Sequence, residues 1–156
     1  MCIKDMDSQG QNYDYAEDLF KEKVHAIRRT RTDEFQIKEA EEKIRSSKNP
    51  IIISGGGVFY SDAMEELSKF AIKHNIPVTQ TVMGYSTMKR DHSHYAGQIG
   101  ALGGKNTNSL AKQTDLAIAV GTKLADFTTG SWTNFENENF KLVSINVSRF
   151  DANKHL

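Results

Sequence analysis

One cysteine and two prolines in 156 residues leave this chain with few covalent or conformational staples. The lone thiol, Cys2, has no partner for an internal disulfide, and no base-bearing motif adjoins it to make it a nucleophile. An excess of charge of one sign is also missing. Twenty Lys and Arg residues balance twenty Asp and Glu, so no whole-chain field favours nucleic acid or an anionic membrane. No apolar run approaches the roughly 20 residues of a membrane helix. The polar opening "MCIKDMDSQGQ" lacks the apolar core of a signal peptide, and the expectation is a soluble, cytoplasmic protein. What is present, 38% hydrophobic residues, suffices for one compact domain without disulfides or metal.

The first twelve residues are polar and without period, and read as a tail or connector. Phe20, Val24 and Ile27 then recur at helical spacing, which predicts a short amphipathic helix from about Asp14. The basic run "RRTRT" after it, with Lys21, Lys23 and His25, reads as a solvated face that complements the helix dipole. Residues 1–32 are thus a connector and short helix. From Asp33 onward helical and strand patterns alternate. Asp33 with Gln36 three residues later resembles a capping box, and Ile37, Ala40 and Ile44 are the expected buried stripe of a helix that ends near Ser47. "IIIS" after Pro50 is a fully apolar, β-branched run, as in strands covered on both faces. A helix from about Asp62 to Lys73 turns Ala63, Leu67, Phe70 and Ala71 inward. "IPVTQTV", "DLAIAVG" and "KLVSINV" read as three further strands, and Lys105 to Gln113 as a helix with Leu110 inward. This alternation predicts an α/β fold, a Rossmann-like doubly wound parallel sheet with helices on both faces.

In such sheets ligands bind beyond the carboxyl ends of the strands, where strand order reverses. The residues predicted there are Gly55, Gly56, Gly57, Met83, Gly84, Gly100, Gly121 and Thr122, with Asn146 at the end of the last strand. Glycine lets backbone N–H groups approach a ligand, and a helix N-terminus favours a pyrophosphate. The dinucleotide fingerprint is incomplete, however, because Tyr60 stands three residues after Gly57 where a glycine is needed. Binding and close packing explain the triple glycine equally well at this point. "GALGGKNTN" imitates the end of a P-loop at Gly104 and Lys105, but the spacing is wrong and Asn106 replaces the magnesium-binding hydroxyl. The loop could still offer N–H groups to an anion. Asp91, His92 and His94 in "DHSHY" lack a second ligand cluster and read as a surface turn rather than a zinc site. No metal ligand and no catalytic residue is assigned. Trp132 lies in a polar, aromatic loop at the predicted ligand end.

From Asp33 to Asp151, "NPIIISGGGV", "IPVTQTVMG", "YAGQIGALGG", "TDLAIAVGTKLADFTTG" and "VSINVSRFDA" follow in order a pattern that resembles the central domain of thiamine-diphosphate-dependent enzymes. Within that family "YDYAEDLFKEKVHAIRR", "GGGVFYSDA", "ADFTTGSW" and "NVSRFDANKH" are most similar to the trihydroxycyclohexanedione hydrolases of bacterial myo-inositol breakdown. The resemblance implies that residues 33–156 are a central, mainly architectural domain. The parent is a hydrolase that cleaves a carbon–carbon bond in a cyclic diketone. Flanking pyrimidine- and diphosphate-binding domains, absent from these 156 residues, hold thiamine diphosphate and Mg2+ in a homodimer or homotetramer. No cofactor is expected in this chain, which alone would not catalyse.

Related central domains in acetohydroxyacid synthases bind FAD at these strand ends. Carried over, that role falls on the glycines, Met83 and Thr122 named above. Asn146 and Ser148 stand where flavin-binding members have acidic residues, and Tyr85 and Ser86 follow Met83-Gly84 where those members have Lys-Gly. These departures argue against FAD or NAD and make the site a candidate vestigial nucleotide pocket. An FAD-binding central domain and a free-standing nucleotide-binding module are the alternative readings.

Overall fold

The computed structural model describes residues 21–22 and 31–154. The helix expected from Asp14 and most of the basic run after it lie outside the described residues. Asp33 caps the first helix, α1 (Glu34–Ser46), its carboxylate accepting from the Gln36 N–H at 2.8 Å. The Gln36 side chain does not complete the reciprocal half of a capping box; its Oε1 accepts from the Thr32 hydroxyl. Ala40 and Ile44 are half-buried against the core, but Ile37 is 50% exposed and no α1 residue is fully buried. The expected stripe is therefore one turn shorter than its periodicity suggests, because only the second half of α1 reaches the sheet.

The strands are β1 (Pro50–Ser54), β2 (Val78–Gln80), β3 (Tyr95–Gln98), β4 (Leu116–Val120) and β5 (Lys141–Ile145). All pair in parallel, in the order β3-β2-β1-β4-β5, so the chain builds outward from β1 in one direction and then in the other. The order reverses between β1 and β4. Successive side chains on a strand face opposite ways, and the two cores follow that rule. Ile52, Leu116, Ile118 and Val143 pack with Val58, Leu67 and Ala71 on one face; Ile51, Ile53, Ala117, Ala119 and Leu142 pack with Ala111 and Leu124 on the other. Helices α2 (Gly56–Tyr60) and α3 (Met64–His74) join α1 on the first face. Helix α4 (Lys105–Gln113), with Leu110 half-buried, and Trp132, Phe135 and Phe140 cover the second. The doubly wound, Rossmann-like α/β sheet is thus as its alternating patterns predict.

Four details differ from the sequence reading. β3 is a fifth strand, at the sheet edge and half-buried throughout. Its segment "YAGQ" lacks the apolar signal of a buried strand. Gly56 and Gly57 are the first turn of α2 rather than a loop, and Asp62 at φ 53° separates α2 from α3, which starts at Met64. β2 ends at Gln80, and Val82–Gly84 forms a 3-10 turn whose N-cap Thr81 accepts from the Gly84 N–H. β5 stops at Ile145, followed by α5's later counterpart α6 (Arg149–Asn153); α5 itself is Asp126–Thr129. Among the described residues no helix is long and apolar enough to cross a membrane.

Candidate functional site

The carboxyl ends of β1 and β4, where strand order reverses, bring Gly55, Gly57, Gly121 and Thr122 together. Backbone fills the space between them. A Cβ on Gly55 would stand 2.4 Å from the Gly121 carbonyl oxygen, and one on Gly57 would stand 2.6 Å from the Gly121 Cα. Gly121 adopts φ +61°, a left-handed conformation open to glycine. On the other side of β1, a Cβ on Gly84 would lie 2.0 Å from the Ser54 oxygen, and one on Gly56 would lie 2.9 Å from the Met83 oxygen. The Met83 side chain itself points into the open, 73% exposed.

Three of the N–H groups at this end have acceptors within the chain. Gly55 donates to Val120 O, Gly57 to Gly121 O and Gly121 to Ile145 O, at 2.8–2.9 Å. Asn146 has both ends of its amide engaged: Nδ2 donates to Thr122 O and Oδ1 accepts from the Ser148 N–H, each at 3.0 Å. It ties β5 to the loop after β4. Gly100 stands apart from this group, at the end of β3, with φ +99° and a virtual Cβ 2.3 Å from the Phe127 oxygen of α5. Asn108 grips it from α4, donating to Gly100 O and accepting from Gly100 N, both at 3.0 Å. Gly103 N and Gly104 N donate to Gly100 O and Gln98 O, so these N–H groups of the expected anion loop have partners in the chain.

Beneath Gly84 lies a buried polar network. Ser54 Oγ donates to Thr87 Oγ1 at 2.6 Å, Thr87 Oγ1 donates to Gly84 O at 2.8 Å, and Gln80 Nε2 donates to Met88 O at 2.9 Å. It fixes the turn after β2 on the end of β1. Sequence reading missed this network and the Asn108 grip; Ser54, Gln80 and Asn108 lie in motifs it singled out, Thr87 and Met88 do not, and only the fold turns these side chains toward each other.

Two clefts stand out, and neither is formed by the strand-end glycines. One, of about 240 Å³, runs past Gln80, Tyr85, Met88 and Arg90. There the Arg90 guanidinium lies 5.4 Å from the centre of the Tyr85 ring. The other, of about 350 Å³, is at the amino end of the sheet among Lys43, Lys48, Asn49, Asp115 and Lys141. Asp115 accepts there from the Ser47 hydroxyl and from the N–H groups of Lys48 and Asn49. Burial works against its ionisation, but the hydrogen bonds from Ser47, Lys48, Asn49 and its own backbone outweigh that and hold the carboxyl below its ordinary range.

"DHSHY" forms a turn before β3. His92 Nδ1 accepts from the His94 N–H, which leaves Nε2 to donate to Ser68 Oγ at 2.9 Å. Among the described residues no group of three or more His, Cys, Asp or Glu side chains is placed to hold a metal ion.

Residues 37–156 match the family model described as the thiamine pyrophosphate enzyme, central domain. The chain belongs to that family. Thiamine pyrophosphate central domains are therefore its kin across most of its length, and curated relatives agree. A protein of Clostridium tetani named 3D-(3,5/4)-trihydroxycyclohexane-1,2-dione hydrolase is 45% identical over 95% of this chain and 23% of its own length. A protein of the same name from Clostridium perfringens is 44% identical over 99% of this chain and 24% of its own. One from Bacillus cereus, named as hydrolase 1 of that type, is 40% identical over 99% and 24%. This central domain spans about a quarter of the length of the curated relatives it matches.

Proposed function

We propose that this chain is the central, mainly architectural domain of a thiamine-diphosphate-dependent hydrolase. The parent opens the ring of a trihydroxycyclohexane-1,2-dione by cleaving a carbon–carbon bond in myo-inositol catabolism. The observation that carries the reading is identity of 40–45% over nearly the whole chain to relatives bearing that hydrolase name. Residues 33–156 are the central domain and 1–32 a connector with a short helix. Flanking pyrimidine- and diphosphate-binding domains supply the sites for thiamine diphosphate and Mg2+ in a cytoplasmic homodimer or homotetramer, without nucleic acid or membrane.

The glycine-lined edge, with Met83, Thr122 and Asn146, is on this reading a vestigial nucleotide pocket that keeps its turns and holds no FAD or NAD. The internal hydrogen bonds of Gly55, Gly57, Gly121 and Asn146 support it, because a diphosphate or ribose would have to displace them. The full-length protein carrying this segment, supplied with thiamine diphosphate and Mg2+, is expected to convert the cyclic dione to its open-chain acid, while the 156-residue chain forms none. No product from the full-length protein would retire the hydrolase reading. Calorimetric titration of the chain with FAD, NAD and ADP is expected to give no heat of binding; micromolar affinity would favour the acetohydroxyacid-synthase-like alternative.

A further inference from the structure

The cleft at the amino end of the sheet, about 350 Å³, plays no part in the function proposed above. Pro50, Leu116 and Lys141 open β1, β4 and β5 in register, so the segments entering these three strands meet at one place. Hydrogen bonds tie those segments together. Asp115 accepts from Ser47 Oγ and from the N–H groups of Lys48 and Asn49, Asn49 O accepts from Thr114 Oγ1, and Lys141 N donates to Asp115 O. Asn137 adds a further tie, donating to Gln113 O through Nδ2 while its Oδ1 accepts from the Asn139 N–H. The walls are thus fixed by the fold, which lowers the ordering cost of binding.

Three lysines line this cleft, Lys43, Lys48 and Lys141, against one carboxylate, that of Asp115. The carboxylate takes its hydrogen bonds from a hydroxyl and two backbone N–H groups, and among the described residues no ion pair joins it to a lysine. Lys43 pairs with Glu39 along α1. Among the described residues the ammonium groups of Lys48 and Lys141 have no acidic partner, and the side-chain amides of Asn49 and Asn139 make no hydrogen bond. The negative end of α1 does not account for these charges, because Lys43 and Arg45 already lie in its last turn and Lys141 comes from β5.

Charge selects the ligand. Two uncommitted ammonium groups match a dianion, and a phosphate monoester carries about −1.5 to −2 at neutral pH, where a carboxylate carries a single charge. Lysine serves such a phosphate as a point charge. The free amides of Asn49 and Asn139 each offer donors and an acceptor, the two functions that a ligand hydroxyl satisfies. The volume lies near the lower bound of the ~300–1,000 Å³ typical of small-molecule clefts, so the ester is small. We propose that the amino-end cleft binds a phosphate monoester of a small polyol, with Lys48 and Lys141 holding the phosphate and Asn49 and Asn139 the hydroxyls. The five residues of β1, at ~3.3 Å each, set this site roughly 16 Å from the glycine-lined edge.

The test is calorimetric titration of the full-length protein carrying this segment, first saturated with thiamine diphosphate and Mg2+ so that the parent's diphosphate site is filled. Glucose 6-phosphate and glycerol 3-phosphate are the ester probes, with glucose and inorganic phosphate for comparison. At least one ester is expected to bind each chain with a Kd below about 1 mM and about tenfold more tightly than inorganic phosphate, while glucose gives no heat. Lys48→Gln combined with Lys141→Gln replaces two exposed side chains and is expected to weaken ester binding about thirtyfold. Lys89→Gln, in the cleft beside Tyr85, is the control and should keep wild-type affinity. Unchanged thermal midpoints show that both variants fold. No saturable heat from either ester up to about 10 mM would overturn the site. So would ester binding that survives the double substitution, or that falls equally in Lys89→Gln, since the ligand would then sit elsewhere. Inorganic phosphate binding as tightly as the esters would overturn the polyol.

Discussion

Gly57 and Gly121 meet backbone to backbone: a Cβ added to either would come within 2.6 Å of the other's Cα, while Gly57 N donates to Gly121 O at 2.9 Å. This contact occupies the place where strand order reverses, between β1 and β4. Close approach of α2 to the β4 loop demands glycine at both positions, and the left-handed φ of Gly121 adds a second reason there.

Gly121→Ala combines a left-handed φ with that clash, and is expected to lower stability by about 2–4 kcal/mol. Gly104→Ala is the control. Its added Cβ would meet only Thr107 Oγ1, at 3.8 Å, and its φ is −68°. Loss of a glycine at an N-cap should then cost less than about 1 kcal/mol. Urea unfolding of both variants checks the difference, and equal losses would show that the Gly57–Gly121 contact is not what demands glycine.

Thr87→Val removes the hydroxyl that accepts from Ser54 and donates to Gly84 O. Both partners are buried, so the loss should be about 1–3 kcal/mol. Ser54→Ala in the same background should cost little more, since the two residues form one network. A double-mutant cycle in urea measures the coupling.

Asp115 gives a pH dependence of definite sign. Its carboxyl lies below its ordinary range when folded, so the unfolded chain binds its proton first as pH falls. The stabilisation is complete above the unfolded value of about 3.9 and is lost as pH drops through the lower folded value. Thermal midpoints of the wild type should therefore fall more steeply than those of Asp115→Asn between about pH 5 and pH 2. At neutral pH the variant should be less stable by about 1–2 kcal/mol, because an amide is a weaker acceptor for Ser47, Lys48 and Asn49.

Asn108→Ala breaks two hydrogen bonds that hold Gly100. Hydrogen exchange at the Gly100 amide should accelerate about tenfold, for a local loss near 1.4 kcal/mol, while amides in β1 and β4 keep their protection. Uniform acceleration across the sheet would mean the grip is global instead.

The alternation of the apolar runs "III" and "LAIAV" with helical stripes settles the α/β class from sequence alone, because a strand covered on both faces must be apolar at nearly every position. The strand-end glycines are legible for the same reason: turns after buried strands fall at the breaks in the pattern. β3 is not legible, since "YAGQ" takes its strand form from pairing with β2 at an edge and not from its own composition. Nor does periodicity tell that Ile37 faces water, which depends on where α1 meets the sheet. The sequence by itself determined the family, the sheet and the positions of Gly55, Gly57, Gly84 and Gly121. Only the tertiary structure decided what those glycines touch, because contact between Gly57 and Gly121, 64 residues apart in the chain, exists only once β1 and β4 lie side by side.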